Sequence, residues 1–174
     1  MEINIKQQAF EYLLSRFIEQ GQKDGVQMSS FTRLKVLKLL FFTAAVKNEN
    51  GEDLLDVFNN FYALPNGPVE SDIYNLITSD KLACYSFKDF SFRIISRYDV
   101  SLLDEQLKKR IDSSFSALMA QNDQLMSYRA EKLVDISHLW TSWRSSIRTA
   151  MTLGKGSYPM NVNAIKNNTQ FFKI

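Results

Sequence analysis

From Leu34 to Val46 the chain is apolar on almost every helical face, with Leu34, Leu37, Leu39, Leu40, Phe41, Phe42, Ala44, Ala45 and Val46. A helix that is apolar all round needs other elements around it, so this run predicts a central, buried helix ending near Lys47. Ser29, Ser30 or Thr32 offers a side-chain oxygen to cap its start. The longest apolar run, Leu39 to Val46, is far shorter than the roughly 20 residues that cross a bilayer, so no membrane partner is expected.

The remaining segments read as its neighbours. Phe10, Leu13, Leu14, Phe17 and Ile18 recur in steps of three and four, which predicts a helix over 5–20 ended by Gly21. Asn48 to Asp53 is crowded with acids and amides around Gly51. An EF-hand calcium loop would need an acid at Val46 and a glutamate at Val57, so the segment is read as a surface Asn-Gly turn. Leu54 to Tyr62 is expected as a short helix or an irregular apolar stretch. Pro65, Asn66, Gly67 and Pro68 then predict a sharp turn opening a helix. Pro68 suits the first helical position, Gly67 the cap and Glu70 the first turn, with Val69, Ile73, Leu76 and Ile77 on the buried face.

Period-two alternation of Tyr85 and Phe87, then Phe90, Phe92 and Ile94, predicts a β-hairpin turning near Lys88 and Asp89, with one face covered by a helix. Lys88, Arg93 and Arg97 are expected to stay in water. A long helix from a Ser101 cap to Gln121 carries Leu103, Leu107, Ile111, Phe115, Leu118 and Met119. Another begins near Asp123 or Ser127 and runs towards His138, and Trp140, Trp143 and Ile147 extend its apolar surface. The stretch from Thr152 to Pro159 is linker-like, and Asn161 or Asn163 can cap a last short helix. The sum is a mainly α chain: a single compact domain over 1–174, with about six helices and one small β-hairpin near residues 83–97.

The 21 basic and 19 acidic residues leave a net charge of +2, too balanced for the broad basic field of a nucleic-acid binder. Cys84 stands alone, so no internal disulfide can form, and the N-terminal MEINIKQQAF lacks a signal-peptide core. A cytoplasmic protein is expected. Cys84 and His138 fall on different predicted elements, no Gly-x-Ser-x-Gly stretch occurs, and no close-spaced ligand pair is visible. Catalysis, a bound metal and a cofactor are therefore not expected. Arg144 and Arg148 share a helix face with Lys155 nearby, and read as a solvated surface.

Several of these segments together resemble the Panacea domain, the antitoxin family that includes the SocA antitoxins. Leu37-Lys38-Leu39-Leu40-Phe41-Phe42 is similar to the family's Lys-Leu-Leu-Tyr-Phe segment, with Phe41 in place of Tyr. Gly67-Pro68-Val69 followed by Asp72 and Tyr74 matches its Gly-Pro-Val turn and trailing Tyr. His138 with Trp143 resembles its late His and Trp, and the stretch from Ile165 to Phe171 its closing helix. The chain departs from the pattern where Ala63-Leu64-Pro65-Asn66 follows Tyr62, since an aromatic commonly sits directly before the Gly-Pro-Val turn.

The resemblance implies a non-catalytic module that binds and neutralises a cognate toxin encoded beside it, or delivers that toxin to a protease as an adaptor. Gly67, Pro68, Val69, Tyr74, His138, Trp140 and Trp143 are then the residues expected near the working surface. Two rival readings come from the residues alone. A winged-helix-like nucleic-acid-binding regulator would use Lys88, Arg93 and Arg97 on its wing, and a small enzyme would be centred on His138.

Overall fold

The computed structural model describes residues 3–174. Its first helix, α1 (Ile3–Lys23), buries Phe10, Leu13, Leu14 and Phe17 completely. Gly21 lies inside α1 rather than ending it. A β-carbon there would come within 2.6 Å of the Phe31 ring, so this glycine lets the following loop close onto the helix. The central helix α2 (Arg33–Ala45) is capped by Thr32, whose Oγ1 accepts from Lys35 N, and every residue from Lys35 to Ala45 is buried. Helix α1 and the later helices over Glu105–Gln121 and Ala130–His138 pack around it.

Asn48 closes the predicted surface turn, its Oδ1 accepting from Asn50 N and Glu52 N. An irregular buried stretch carrying Leu54, Leu55, Val57 and Phe58 leads into β1 (Phe61–Leu64). Here the structure corrects the sequence expectation. Gly67, Pro68 and Val69 do not open a helix; they form β2 (Gly67–Glu70), antiparallel to β1 with Phe61 opposite Glu70 and Leu64 opposite Gly67. Pro65 and Asn66 are the tight turn between the strands, and Gly67 takes a φ of +96°, which an L side chain rarely adopts. Pro68, which has no N–H to give to a ladder, sits on the edge strand of its sheet, and its carbonyl accepts from a buried lysine. The helix begins one strand later, as α3 (Ser71–Thr78), with Glu70 as its N-cap and Ile73, Leu76 and Ile77 on its buried face.

The second hairpin is present as expected, with β3 (Tyr85–Ser86) pairing with β4 (Arg93–Ile94) and a 3-10 turn over Lys88–Phe90 between them. Helix α4 (Glu105–Gln121) is capped by Asp104, not Ser101. Helix α5 (Ala130–His138) starts later than Ser127 and breaks before Trp140, and α6 (Thr141–Thr152) follows as a separate element. The linker-like segment contributes β5 (Tyr158–Pro159), which adds to β1 and completes a three-stranded sheet in the order β2-β1-β5. Asn161 caps α7 (Val162–Lys166), and Phe172 is buried beyond it against Phe42 and Trp140. The chain is thus mainly α, with seven α-helices among the described residues. No helix among them is long and apolar enough to cross a membrane.

Candidate functional site

The β1–β2 hairpin has two surroundings, a packed inner side and a wet tip. On the inner side, Lys38 of α2 is wholly buried and its Nζ donates to the Pro68 carbonyl at 2.7 Å. Burial pushes its amine down to about 7. Gly67 leaves room for this contact: a β-carbon there would lie 2.9 Å from Lys38 Cε and would overlap Ser137 Oγ. Trp143 Nε1 donates to the Leu64 carbonyl at 2.9 Å, so the hairpin is tied to α6 as well as to α2.

The His138 ring stacks on Trp143, with centroids 3.8 Å apart and planes 9° apart. Burial lowers the pKa of His138; the Pro65 carbonyl acts against this, and the charge of Lys38 acts with it. Trp140 lies away from this group, fully buried edge-on to Phe41 with its Nε1 donating to the Phe171 carbonyl at 2.9 Å. Cys84 and His138 do not meet. The cysteine is buried beside Glu11, whose carboxylate accepts from Ala83 N and Cys84 N, and burial raises the thiol pKa.

The glutamate at the end of β2 anchors the next helix. Glu70 Oε2 accepts from Ile73 N at 2.9 Å, while Oε1 accepts from Lys6 Nζ at 2.7 Å and Asn60 N at 3.2 Å. Asp72 also holds Lys6, at 2.5 Å. Burial alone would lower the Lys6 amine, but the two carboxylates outweigh it and hold it above its ordinary range. This network, closed on nearly every side, fixes α3 against α1 and so sets where Tyr74 stands.

On the outer side the tip borders a groove of about 470 Å³. Leu34 and Leu37 of α2 line one wall, and Leu64, Pro65, Asn66 and Val69 of the first hairpin line the next. Tyr74 of α3, 40% exposed, and Phe87 and Phe90 of the second hairpin complete it. Phe87 is buried, but Phe90 is 90% exposed. The expectation that a helix covers the hairpin's phenylalanines therefore fails at Phe90, whose turn aims it outward. Asp89 and Phe90 carry φ of 53° and 58°, consecutive left-handed conformations without glycine, of a kind that costs about 1–3 kcal/mol each and concentrates at functional sites. Among the described residues, Arg33 is the only charged side chain lining the groove, and its guanidinium lies 4.9 Å from the Phe90 ring centre.

Of the residues singled out from the sequence, Val69 and Tyr74 line the groove. Gly67, Pro68, His138 and Trp143 stand behind it and hold its tip, and Trp140 belongs to the core. Arg33, Leu34, Leu37, Phe87 and Phe90 were not picked out as a site. Their signal was faint, because Leu34 and Leu37 share the apolar run with truly enclosed residues and Phe90 looks like one more alternating strand residue. Among the described residues the groove offers a guanidinium, a phenol, an amide, the Thr32 hydroxyl and apolar walls, with no pair of convergent acid and base groups. Among the described residues no group of three His, Cys, Asp or Glu side chains could hold a metal ion.

Comparisons of the chain with protein-family models, curated proteins and solved structures give no match.

Proposed function

We propose that this chain is an antitoxin-like protein-binding module that neutralises a cognate toxin by direct contact, the toxin docking on the groove between the two hairpins. The observation that carries this reading is an apolar cleft with an aromatic held out at its rim by a strained turn. Exposed aromatics and arginine beside a pocket are the groups that anchor protein interfaces, and buried hydrogen bonds keep Tyr74 and the first hairpin's tip in place before binding. The resemblance of the Gly67-Pro68-Val69 and Leu37-Phe42 segments to Panacea antitoxins supports the same reading. Delivery of the bound toxin to a protease is a second use of one such surface.

Co-expression with the product of the adjacent gene tests it. Wild-type protein is expected to co-purify with that product and to rescue growth from it, and Leu34→Arg, which places a charge in the groove wall, is expected to lose both while keeping its circular dichroism and melting curve. Absence of co-purification and of rescue by folded wild-type protein counts against the proposal. Salt-sensitive binding to duplex DNA in an anisotropy titration would favour the nucleic-acid reading instead.

A further inference from the structure

The groove is polarised, and its polarity narrows the partner. Its walls are aliphatic and aromatic, yet at the rim Arg33 has neither an ion pair nor a hydrogen-bond acceptor among the described residues. The guanidinium instead faces the Phe90 ring at 4.9 Å. A guanidinium over a ring face keeps N–H groups that can donate to a carboxylate in bidentate fashion. Arg33 is also the first residue of α2, whose opening turn contains no acidic side chain, so the positive end of the helix adds to the same field. Tyr74 and Asn66 add neutral polar groups on the other walls.

A volume of about 470 Å³ lies in the range of roughly 300–1,000 Å³ typical of ligand pockets, room enough for two bulky side chains. A pocket built to enclose a small molecule gains nothing from an aromatic left 90% in solvent, whereas a partner chain running over the rim would cover it. We infer that the groove takes a short segment of the partner protein in which bulky apolar side chains are flanked by an aspartate or glutamate, the apolar groups entering between Leu34, Leu37 and Val69 and the carboxylate pairing with Arg33. This inference rests on the proposed binding role of the same groove and specifies what it recognises.

A displayed library of random twelve-residue peptides, selected against the immobilised full chain, tests it, followed by anisotropy with fluorescein-labelled copies of the enriched peptides. Enriched sequences are expected to carry an acid next to a pair of bulky apolar residues. Replacing that acid by lysine is expected to weaken binding at least tenfold. Arg33→Glu should reverse the preference, and Leu34→Arg should abolish binding of both versions. Equal affinity for the acidic and lysine versions, or an Arg33→Glu variant with unchanged preference, overturns the inference while leaving a purely apolar docking groove. Failure of any peptide to enrich, with the adjacent gene product still co-purifying, overturns it by placing the interface elsewhere. Concentration-dependent dimerisation lost in Leu34→Arg overturns it in favour of a second copy of this chain as occupant.

Discussion

The two hairpins that frame the groove are built in opposite ways. The β1–β2 hairpin places β1 at the centre of its sheet, between β2 and β5, and is backed by α2, α5 and α6, with the Pro68 and Leu64 carbonyls claimed by the Lys38 and Trp143 side chains. The β3–β4 hairpin has strands of two residues each, an exposed outer strand and left-handed residues at its turn. Interior satisfaction makes the first rigid, and local strain at an exposed turn makes the second a presenter. On the proposed reading, the docking groove draws its shape from the packed hairpin and its contact group from the exposed turn.

Substitutions should therefore separate the hairpins cleanly, and the largest effect is expected at Gly67. Gly67→Ala forces a φ of +96° on a side chain that also meets Lys38 and Ser137, which should cost about 3 kcal/mol or more in urea unfolding. An effect below about 1 kcal/mol would show that the first hairpin yields as easily as the second.

Protonation gives the next contrast. The Lys38 amine is held down to about 7 and that of Lys35 to about 8 by burial, against an ordinary value of 10.5. Both lysines bind more protons unfolded than folded in the window from their folded values up to about 10.5, so stability rises with pH across it. His138, lowered by burial, acts with the same sign as pH falls through and below its usual value near 6.5. The melting temperature should climb between pH 7 and pH 9.5, and Lys38→Met should flatten that climb. A flat wild-type profile would mean that the amine beneath Pro68 is hydrated, and the first hairpin less enclosed than its geometry indicates.

Smaller effects follow. Trp143→Phe keeps the stack on His138 but leaves the Leu64 carbonyl without its indole donor, and should cost about 1–2 kcal/mol, read by chemical denaturation. Phe90→Ser, at a side chain 90% exposed, should change stability by no more than about 0.5 kcal/mol while sharply weakening partner binding in a pull-down. Asp89→Gly should relieve the turn and raise stability by less than about 1 kcal/mol. If Phe90→Ser unfolds the protein, the second hairpin is part of the scaffold and the contrast disappears.

The helices were legible because their apolar residues repeat every three or four positions, as in α1 and α4, and because a run such as Leu34–Val46 leaves no polar face to expose. The second hairpin was legible from alternation alone. The first was not. Pro65-Asn66-Gly67-Pro68 satisfies a helix-opening pattern as well as a two-residue turn, and β1 shows its alternation only over Phe61 to Leu64, where Phe61 and Ala63 are buried and Tyr62 and Leu64 are half-buried. The strand Tyr158–Pro159 is too short for any period. The groove was hidden for a different reason: Leu34, Leu37 and Phe90 have the same composition whether a neighbour covers them or not, and only the packing of α2 against the hairpins decides which face stays open. The buried lysines had a sequence signal in Lys35 and Lys38 interrupting an apolar helix, but nothing in the sequence marked the Met126 and Pro68 carbonyls that accept from them.

One of those lysines carries a practical consequence. Amines that hold their charge weakly near neutrality make good nucleophiles, yet Lys38, wholly buried, cannot meet a reagent while α2 is enclosed. Brief acylation in solution should therefore mark the surface lysines and spare position 38. Any label found there dates an excursion in which the centre of the molecule came open, and since the adduct has no room beside Gly67 and Ser137, each excursion caught at Lys38 leaves a lasting mark.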